Sequence, residues 1–234
     1  MFISTKKKLI YRIIGVIALV ILLVMNWTQN TSVPPNATGL AVWRALFSTT
    51  GGFFSIFYFG PVIANIFICY ELVNRRPYLV YYRTSRQFVL CQYEKNLSVD
   101  VLLFSSIYML FGSFCNQLFV GKGILEWSFF FALVVMMVNT ALFLGFLGEL
   151  FYILAIFVND YLALIILLCL NTLASIMTRI FHFWIPLNEI NLFSSFFSGQ
   201  LTILIVIRSF ARLLLVLIAS LIIASKATRH KEIL

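Results

Sequence analysis

Hydrophobic residues in this chain form long, nearly uninterrupted runs separated by short polar segments. Six runs stand out, at residues 9–26, 52–72, 98–119, 128–157, 161–178 and 203–225. A helix needs about 20 mainly apolar residues to cross the hydrocarbon core of a bilayer. Lipid cannot hydrogen-bond to open backbone groups, and the runs lack the alternation of barrel strands, so helices are expected. The pattern therefore predicts an all-α, polytopic membrane protein with six transmembrane helices in one domain, residues 1–234.

Polar residues interrupt some of these runs and refine the prediction. Only Asn159 and Asp160 separate the fourth run from the fifth, which predicts a tight turn between two helices. The fourth run is long for one span, so either its helix tilts or its end emerges near Glu149. Because Arg208 interrupts the sixth run, we expect the membrane part of that helix to start there, with residues 201–207 as an interfacial or re-entrant approach.

The composition agrees with a lipid environment and not with an aqueous one. Hydrophobic residues make up 62% of the chain and charged residues 11%, and the mean hydropathy is +1.01. Soluble domains carry about 25% charged residues. A soluble fold of this length could not hide so much apolar surface from water. The four cysteines show no C-x-x-C spacing, so the sequence predicts neither a disulfide framework nor a metal site.

The distribution of the basic residues predicts the orientation of the chain. Twelve fall on one side of the six-span topology and three on the other, the three being Arg44, Lys122 and Arg179. Basic residues concentrate on the cytoplasmic side of membrane proteins, so both termini and the segment 73–96 are predicted to be cytoplasmic. This bias also accounts for the net charge of +9, and we therefore expect no nucleic-acid partner. The first run is interpreted as a span and not as a cleaved signal peptide, because no small-x-small cleavage site follows it.

Segment 73–96, between the second and third spans, is longer than a helix–helix turn requires, since such turns take about 2–8 residues. It mixes aromatic, aliphatic and basic residues. Pro77 can begin one helix, and Thr84 or Ser85 can cap a second. From Ser85 the pattern predicts an amphipathic, interfacial helix whose recurring positions are Phe88, Val89, Gln92 and Tyr93. This helix either anchors to acidic headgroups, at about 1 kcal/mol per basic residue, or docks a cytoplasmic partner.

A short motif in and around this segment resembles the permeases of ABC exporters of the second type. Those permeases show the order E…G…l…pxSR…l…K, and the matching residues here are Glu71, Thr84, Ser85, Arg86 and Lys95. The usual Gly and Pro of the pattern are absent or displaced. The resemblance implies that the segment is a coupling helix that sits in a cleft of an ATPase subunit, with the neighbouring Arg83 among its contacts.

The same resemblance implies a role for the whole chain. It predicts the non-enzymatic membrane subunit of a transporter in the bacterial plasma membrane, paired with a second permease subunit, identical or related. No GxxxxGK[ST] loop occurs, so ATP and Mg²⁺ are expected on a separate ATPase dimer and no cofactor on this chain. The expected cargo is amphipathic, namely an antimicrobial peptide that is exported or cleared for self-immunity. Residues 179–200 resemble the short outer helices that close the pathway in these permeases.

Three polar residues within the predicted spans are candidates for a pathway or a gate: Asn139, Glu149 and Arg212. Glu149 is interpreted as the only acid clearly inside a span, and it lies either at the cytoplasmic interface, beside a buried cation, or in a proton relay. Arg212 shares a helix face with Arg208 and either faces a central vestibule or extends to the headgroups. Asn139 can join helices by hydrogen bonds.

Two further classes of function were weighed against the exporter. A substrate-capturing subunit of a vitamin uptake system also has about six spans, but its first span would carry small-residue motifs for a scaffold protein. The first span here offers only Gly15 and Ala18. An intramembrane enzyme would require paired acids and histidines on facing spans, and the predicted spans contain no histidine.

Overall fold

The computed structural model describes residues 9–10, 12–21, 24, 86–120, 127–181, 184–186, 189, 200 and 202–233. All regular structure within these ranges is helical, which confirms the predicted all-α class for the described part of the chain. We number the helices in chain order: α1 Arg12–Ile21, α2 Arg86–Val120, α3 Trp127–Phe157, α4 Asp160–Phe181 and α5 Ile203–Ile233.

Two of these helices are long and apolar enough to cross a membrane, namely the stretches Phe130–Phe157 of α3 and Ile203–Arg229 of α5. The bounds of α3 and α4 agree closely with the predicted fourth and fifth spans. The predicted second span, 52–72, lies outside the described residues. The count of six spans and the cytoplasmic location of the termini therefore stay predictions.

Helix α2 differs from its prediction because it is continuous over 35 residues. It begins at Arg86, one residue after the predicted cap Ser85, and does not pause before the predicted third span. No Gly or Pro occurs before Gly112 to break it. The polar side chains near the expected boundary support the helix, because Asn96 Nδ2 donates to Gln92 O at 2.6 Å and Ser98 Oγ donates to Glu94 O at 2.8 Å.

Helix α5 corrects the expectation of a separate approach at residues 201–207. The helix begins at Ile203 and continues through Arg208 without a break. Thr202 caps it, since Ile205 N donates to Thr202 O at 3.0 Å and lies 3.4 Å from Thr202 Oγ1. Arginine is a good helix former, so an isolated Arg in an aliphatic sequence does not end a helix.

The predicted turn between α3 and α4 is confirmed. Helix α3 ends at Phe157, and Val158 N still donates to Leu154 O at 2.9 Å. Asn159 then caps α4, because its backbone oxygen accepts from Ala163 N at 2.8 Å and its Oδ1 lies 3.4 Å from Tyr161 N. The two helices are therefore adjacent and joined by a minimal connection.

Helix α3 is the centre of the described bundle and packs against α2, α4 and α5. Its buried side chains include Leu133, Met136, Phe143, Leu147 and Phe151. In contrast, most of the apolar surface of α5 is exposed, and its outward side chains include Leu204, Ile207, Leu215, Ile222 and Ile223. An apolar helix face of this size requires lipid or another protein against it.

Helices α2 and α3 are in close contact at Gly148. Tyr93 Oη donates to Gly148 O at 2.6 Å, and the Tyr93 ring stacks on Tyr152 with 5.0 Å between ring centroids. Leu97 fills the space beside the glycine: a Cβ at position 148 would lie 2.3 Å from Leu97 Cδ1 and 3.0 Å from Leu97 Cγ. Gly148 is therefore required by the contact between the two helices.

This contact predicts different effects for two glycine substitutions in α3. Gly148→Ala should destabilise the protein by about 1–3 kcal/mol, because its methyl group overlaps the side chain of Leu97, which is buried and must shift to make room. Gly145→Ala is the matched control, since its Cβ would meet Leu217 Cδ1 at an ordinary 3.4 Å. The control should leave stability unchanged or raise it by up to about 1 kcal/mol. Thermal unfolding of both variants in detergent is the measurement, and equal midpoints would contradict the predicted contact.

Candidate functional site

Glu189, in the connection between α4 and α5, organises one group of polar side chains, which we call the Glu189 cluster: Asn139, Trp184, Glu189, Ser209 and Arg212. Arg212 Nη1 lies 2.9 Å from Glu189 Oε1, and Trp184 Nε1 donates to the same oxygen at 2.5 Å. The Arg212 guanidinium also lies 5.3 Å from the centroid of the Trp184 ring, within cation–π distance.

Asn139 of α3 completes the Glu189 cluster from the opposite side. Its Nδ2 donates to Ser209 Oγ at 2.9 Å and to Glu189 O at 3.1 Å, and Ser209 Oγ donates to Glu189 O at 3.3 Å. Asn139 is buried, and its Oδ1 has no hydrogen-bond partner among the described residues. The hydrogen bonds and the ion pair of the cluster thus connect the segment between α4 and α5 to both α3 and α5.

The Glu189 cluster brings together Asn139 and Arg212, two of the three residues singled out as a possible pathway or gate. Sequence reasoning missed their partner. Glu189 is the only acid between Asp160 and Glu232, and it precedes by 23 residues an arginine inside an apolar helix. That combination of a lone acid and an arginine inside an apolar helix was the available signal. Within the described residues the cluster joins α3 and α5 to the α4–α5 connection, which is a structural role, and a gating role stays a prediction.

Hydrogen bonds and charge set the ionisation of Glu189. Burial alone would raise its pKa, but the hydrogen bonds from Trp184 and Arg212, together with the positive charge of Arg212, lower the pKa below the ordinary value of 4.5. The carboxylate is therefore ionised at neutral pH, and the ion pair with Arg212 is intact there.

A second site is a groove between α2, α3 and α5 with a volume of about 470 Å³, which we call the acidic groove. Its apolar wall includes Leu97, Val101, Leu102, Met137, Leu142, Leu217 and Leu221. Its polar lining consists of two carboxylates and two hydroxyls, from Glu94, Glu149, Ser98 and Ser105. The groove follows α3 from Met137 to Glu149, roughly 18 Å at the rise of an α-helix.

Glu149 is the third predicted pathway residue, and it lies in the acidic groove, separate from the Glu189 cluster. Its side chain is buried, with 1% of the residue exposed. Its Oε2 has no hydrogen-bond partner among the described residues. Glu94 lies close enough for the two negative charges to interact, and partial burial raises the pKa of Glu94. The alternative of a buried cation beside Glu149 receives no support from the described residues, among which Glu94 is the charged group that acts on it.

The residues predicted to bind an ATPase are only partly described. Glu71, Arg83, Thr84 and Ser85 lie outside the described residues. Arg86 is the first residue of α2, and Lys95 is exposed on the same helix. Two positions of the predicted amphipathic helix are described: Tyr93 is buried, as its place in the pattern suggests, whereas Gln92 is exposed.

An ion pair between Arg12 of α1 and Asp100 of α2 was also missed. Asp100 is completely buried, and it corrects the interpretation of Glu149 as the only acid inside a span, because it is the third residue of the predicted third span. Arg12 Nη2 and Asp100 Oδ2 are buried without hydrogen-bond partners among the described residues. The signal was a cation and an acid near the ends of two predicted spans on the same side of the membrane.

Comparisons with known proteins add no identity to these sites. The chain matches no protein-family model, no curated protein and no solved structure. Among the described residues, no group of three or more His, Cys, Asp or Glu side chains could hold a metal ion.

The lowered pKa of Glu189 predicts how stability depends on pH. A carboxylate whose pKa is lowered by folding contributes stability above its ordinary value, here 4.5, and that contribution is lost as the pH falls through the lowered value. Glu189→Gln should therefore destabilise the protein by about 1–2 kcal/mol at pH 7. The difference from the wild type should shrink as the pH falls below 4.5 and disappear below the lowered pKa of Glu189.

Thermal unfolding in detergent between pH 3 and pH 7 tests this prediction. Arg208→Gln is the control, because Arg208 is exposed one turn earlier in α5, and its effect should stay within about 0.5 kcal/mol at every pH. A difference between Glu189→Gln and the wild type that is independent of pH would show that the ion pair adds nothing.

Proposed function

We propose that this chain is the membrane-spanning permease subunit of an ABC transporter. In this proposal a separate dimer of ATPase subunits hydrolyses ATP, and two permease subunits export an amphipathic substrate, an antimicrobial peptide, across a bacterial plasma membrane. The proposal starts from the motif formed by Glu71, Thr84, Ser85, Arg86 and Lys95. The structural observation that supports the proposal most strongly is that α2 is one continuous helix.

Helix α2 begins within the motif, at Arg86, and extends for 35 residues, about 52 Å at the rise of an α-helix. A rigid helix of this length transmits a displacement of its first turn along its whole length. A cytoplasmic partner that binds the segment around Arg83 and Arg86 would therefore move α2 without first having to order a flexible linker.

The contacts of α2 provide a route for that displacement into the bundle. Tyr93 is joined to α3 by its hydrogen bond to Gly148 O and by stacking on Tyr152. Tyr152 Oη lies 3.4 Å from Thr228 Oγ1 of α5. Movement of α2 is in this way coupled to α3 and α5 at one end of the bundle, while the Glu189 cluster links the same two helices some distance along α3.

The exposed apolar face of α5 supports a second permease subunit. A pathway between two subunits requires each of them to present a large uncovered face, and Leu204, Ile207 and Leu215 contribute to such a face. Lipid covers the part of this apolar face that the partner subunit does not contact.

Purification of the tagged full chain from membranes of the organism that encodes it tests the ATPase interaction. We expect an ATPase with a GxxxxGK[ST] loop to co-purify in a fixed ratio. Arg83→Glu combined with Arg86→Glu should reduce the recovered ATPase at least tenfold, because two cations of the coupling segment become anions. The thermal unfolding midpoint should stay close to that of the wild type.

Lys226→Glu combined with Lys231→Glu is the matched control, since it makes the same change in charge on the same predicted side of the membrane. This pair should retain the ATPase. The proposal is wrong if the wild type purifies without an ATPase. It is also wrong if the two double variants lose the ATPase equally, because segment 73–96 then has no specific docking role.

A further inference from the structure

Glu149 is a buried acid that, among the described residues, has no partner to stabilise its ionised form. A carboxylate removed from water is costly unless a cation or hydrogen-bond donors compensate for it. Glu149 is 1% exposed, its Oε2 has no hydrogen-bond partner among the described residues, and another acid, Glu94, acts on it electrostatically. A bound positive charge at this point would remove the repulsion and satisfy the unpaired oxygen.

The hydroxyl groups of the acidic groove point to the same kind of occupant. Ser98 Oγ donates its hydrogen to Glu94 O at 2.8 Å, and Ser105 Oγ donates to Leu102 O at 3.2 Å. Both hydroxyls therefore offer only lone pairs to the groove. Since the other polar side chains of its lining belong to Glu94 and Glu149, the described lining accepts hydrogen bonds and donates none once both carboxyl groups are ionised.

The shape and the walls of the groove indicate a ligand with an apolar body. The volume of about 470 Å³ lies within the ~300–1,000 Å³ typical of sites for small organic ligands. Side chains of α2, α3 and α5, such as Val101, Leu142 and Leu217, form most of the surface. A metal ion would leave these walls without a partner, and a neutral lipid chain would leave both carboxylates uncompensated.

We infer that the acidic groove binds a hydrophobic organic cation with N–H donors, such as an alkylammonium ion. Its positive group lies between Glu94 and Glu149, and its apolar body follows α3 towards Met137. Charge complementarity and the all-acceptor lining select this occupant over a neutral or anionic amphiphile. As a substrate site of a transporter the groove rests on the proposed function, whereas the binding itself depends only on the residues of the groove.

Three probes that share a biphenylpropyl body and differ in their end group test this inference: the primary amine, the alcohol and the carboxylic acid. Equilibrium dialysis against the full chain in neutral detergent at pH 7, with binding to empty micelles subtracted, gives the affinities. The amine should bind saturably and at least tenfold more tightly than the alcohol, and the acid should not bind.

Variants of the two acids localise the cation. Glu149→Gln and Glu94→Gln should each weaken binding of the amine at least tenfold and leave the alcohol unaffected. Glu149→Gln should also leave the unfolding midpoint of the unliganded protein unchanged or raise it, because it replaces a buried ionisable group whose Oε2 has no partner among the described residues. Asp160→Asn removes an acid outside the groove and should bind the amine as the wild type does. Ala141→Leu narrows the groove and should weaken binding of both the amine and the alcohol.

Equal affinities for amine and alcohol would overturn the inference and assign the groove to a lipid tail or another neutral body. Undiminished binding of the amine by both Glu149→Gln and Glu94→Gln would overturn it as well, and so would the absence of saturable binding. These results are separate from those of the ATPase experiment. If the chain binds the amine but recruits no ATPase, the cation site is supported and the transporter function is overturned. If it recruits an ATPase but does not bind the amine, the transporter function is supported and the cation site is overturned.

Discussion

The acidic groove depends on the close contact of α2 and α3 at Gly148. Because position 148 has no Cβ, Leu97 can occupy the space beside it and Tyr93 can reach the backbone oxygen. The acids Glu94 and Glu149 are the residues that directly follow Tyr93 and Gly148. The hydrogen bond and the packing that hold the helices together therefore also hold two carboxylates next to each other, against their mutual repulsion. The acidic groove is a direct consequence of this helix contact.

Helix α3 carries two polar sites of opposite character. Asn139 and Glu149 are ten residues apart, about 15 Å along the helix axis. Around Asn139, the Glu189 cluster combines an ion pair, an indole donor and a hydroxyl, so charges and donors balance. Around Glu149, negative charge and acceptors dominate. The Glu189 cluster, in which charges and hydrogen-bond donors are matched, favours one fixed arrangement of helices. The acidic groove, in which acceptors are in excess, is suited to change when a positively charged ligand binds.

Local patterns predicted the elements well and their long-range partners poorly. The uninterrupted apolar runs gave close bounds for α3 and α4 and the turn at Asn159, since length and turn chemistry are local properties. The change from polar to apolar residues near position 98 suggested a boundary that α2 does not have, because side chains such as Asn96 and Ser98 bond to the preceding turn. Asn139 and Arg212 were recognisable as unusual residues, but Glu189 pairs with them across 50 and 23 residues, a separation that no periodicity records.

The ion pair between Arg12 and Asp100 has a consequence for the biogenesis of the chain. The two residues are separated by 88 positions, so at about 5–20 residues per second the ribosome adds Asp100 roughly 4–18 s after Arg12. During that interval the N-terminal helix carries a cation whose eventual counterion does not yet exist. The nascent helix must therefore keep Arg12 in water, among headgroups or within the insertion machinery. It can settle into its final position against α2 only after the later helix has been made.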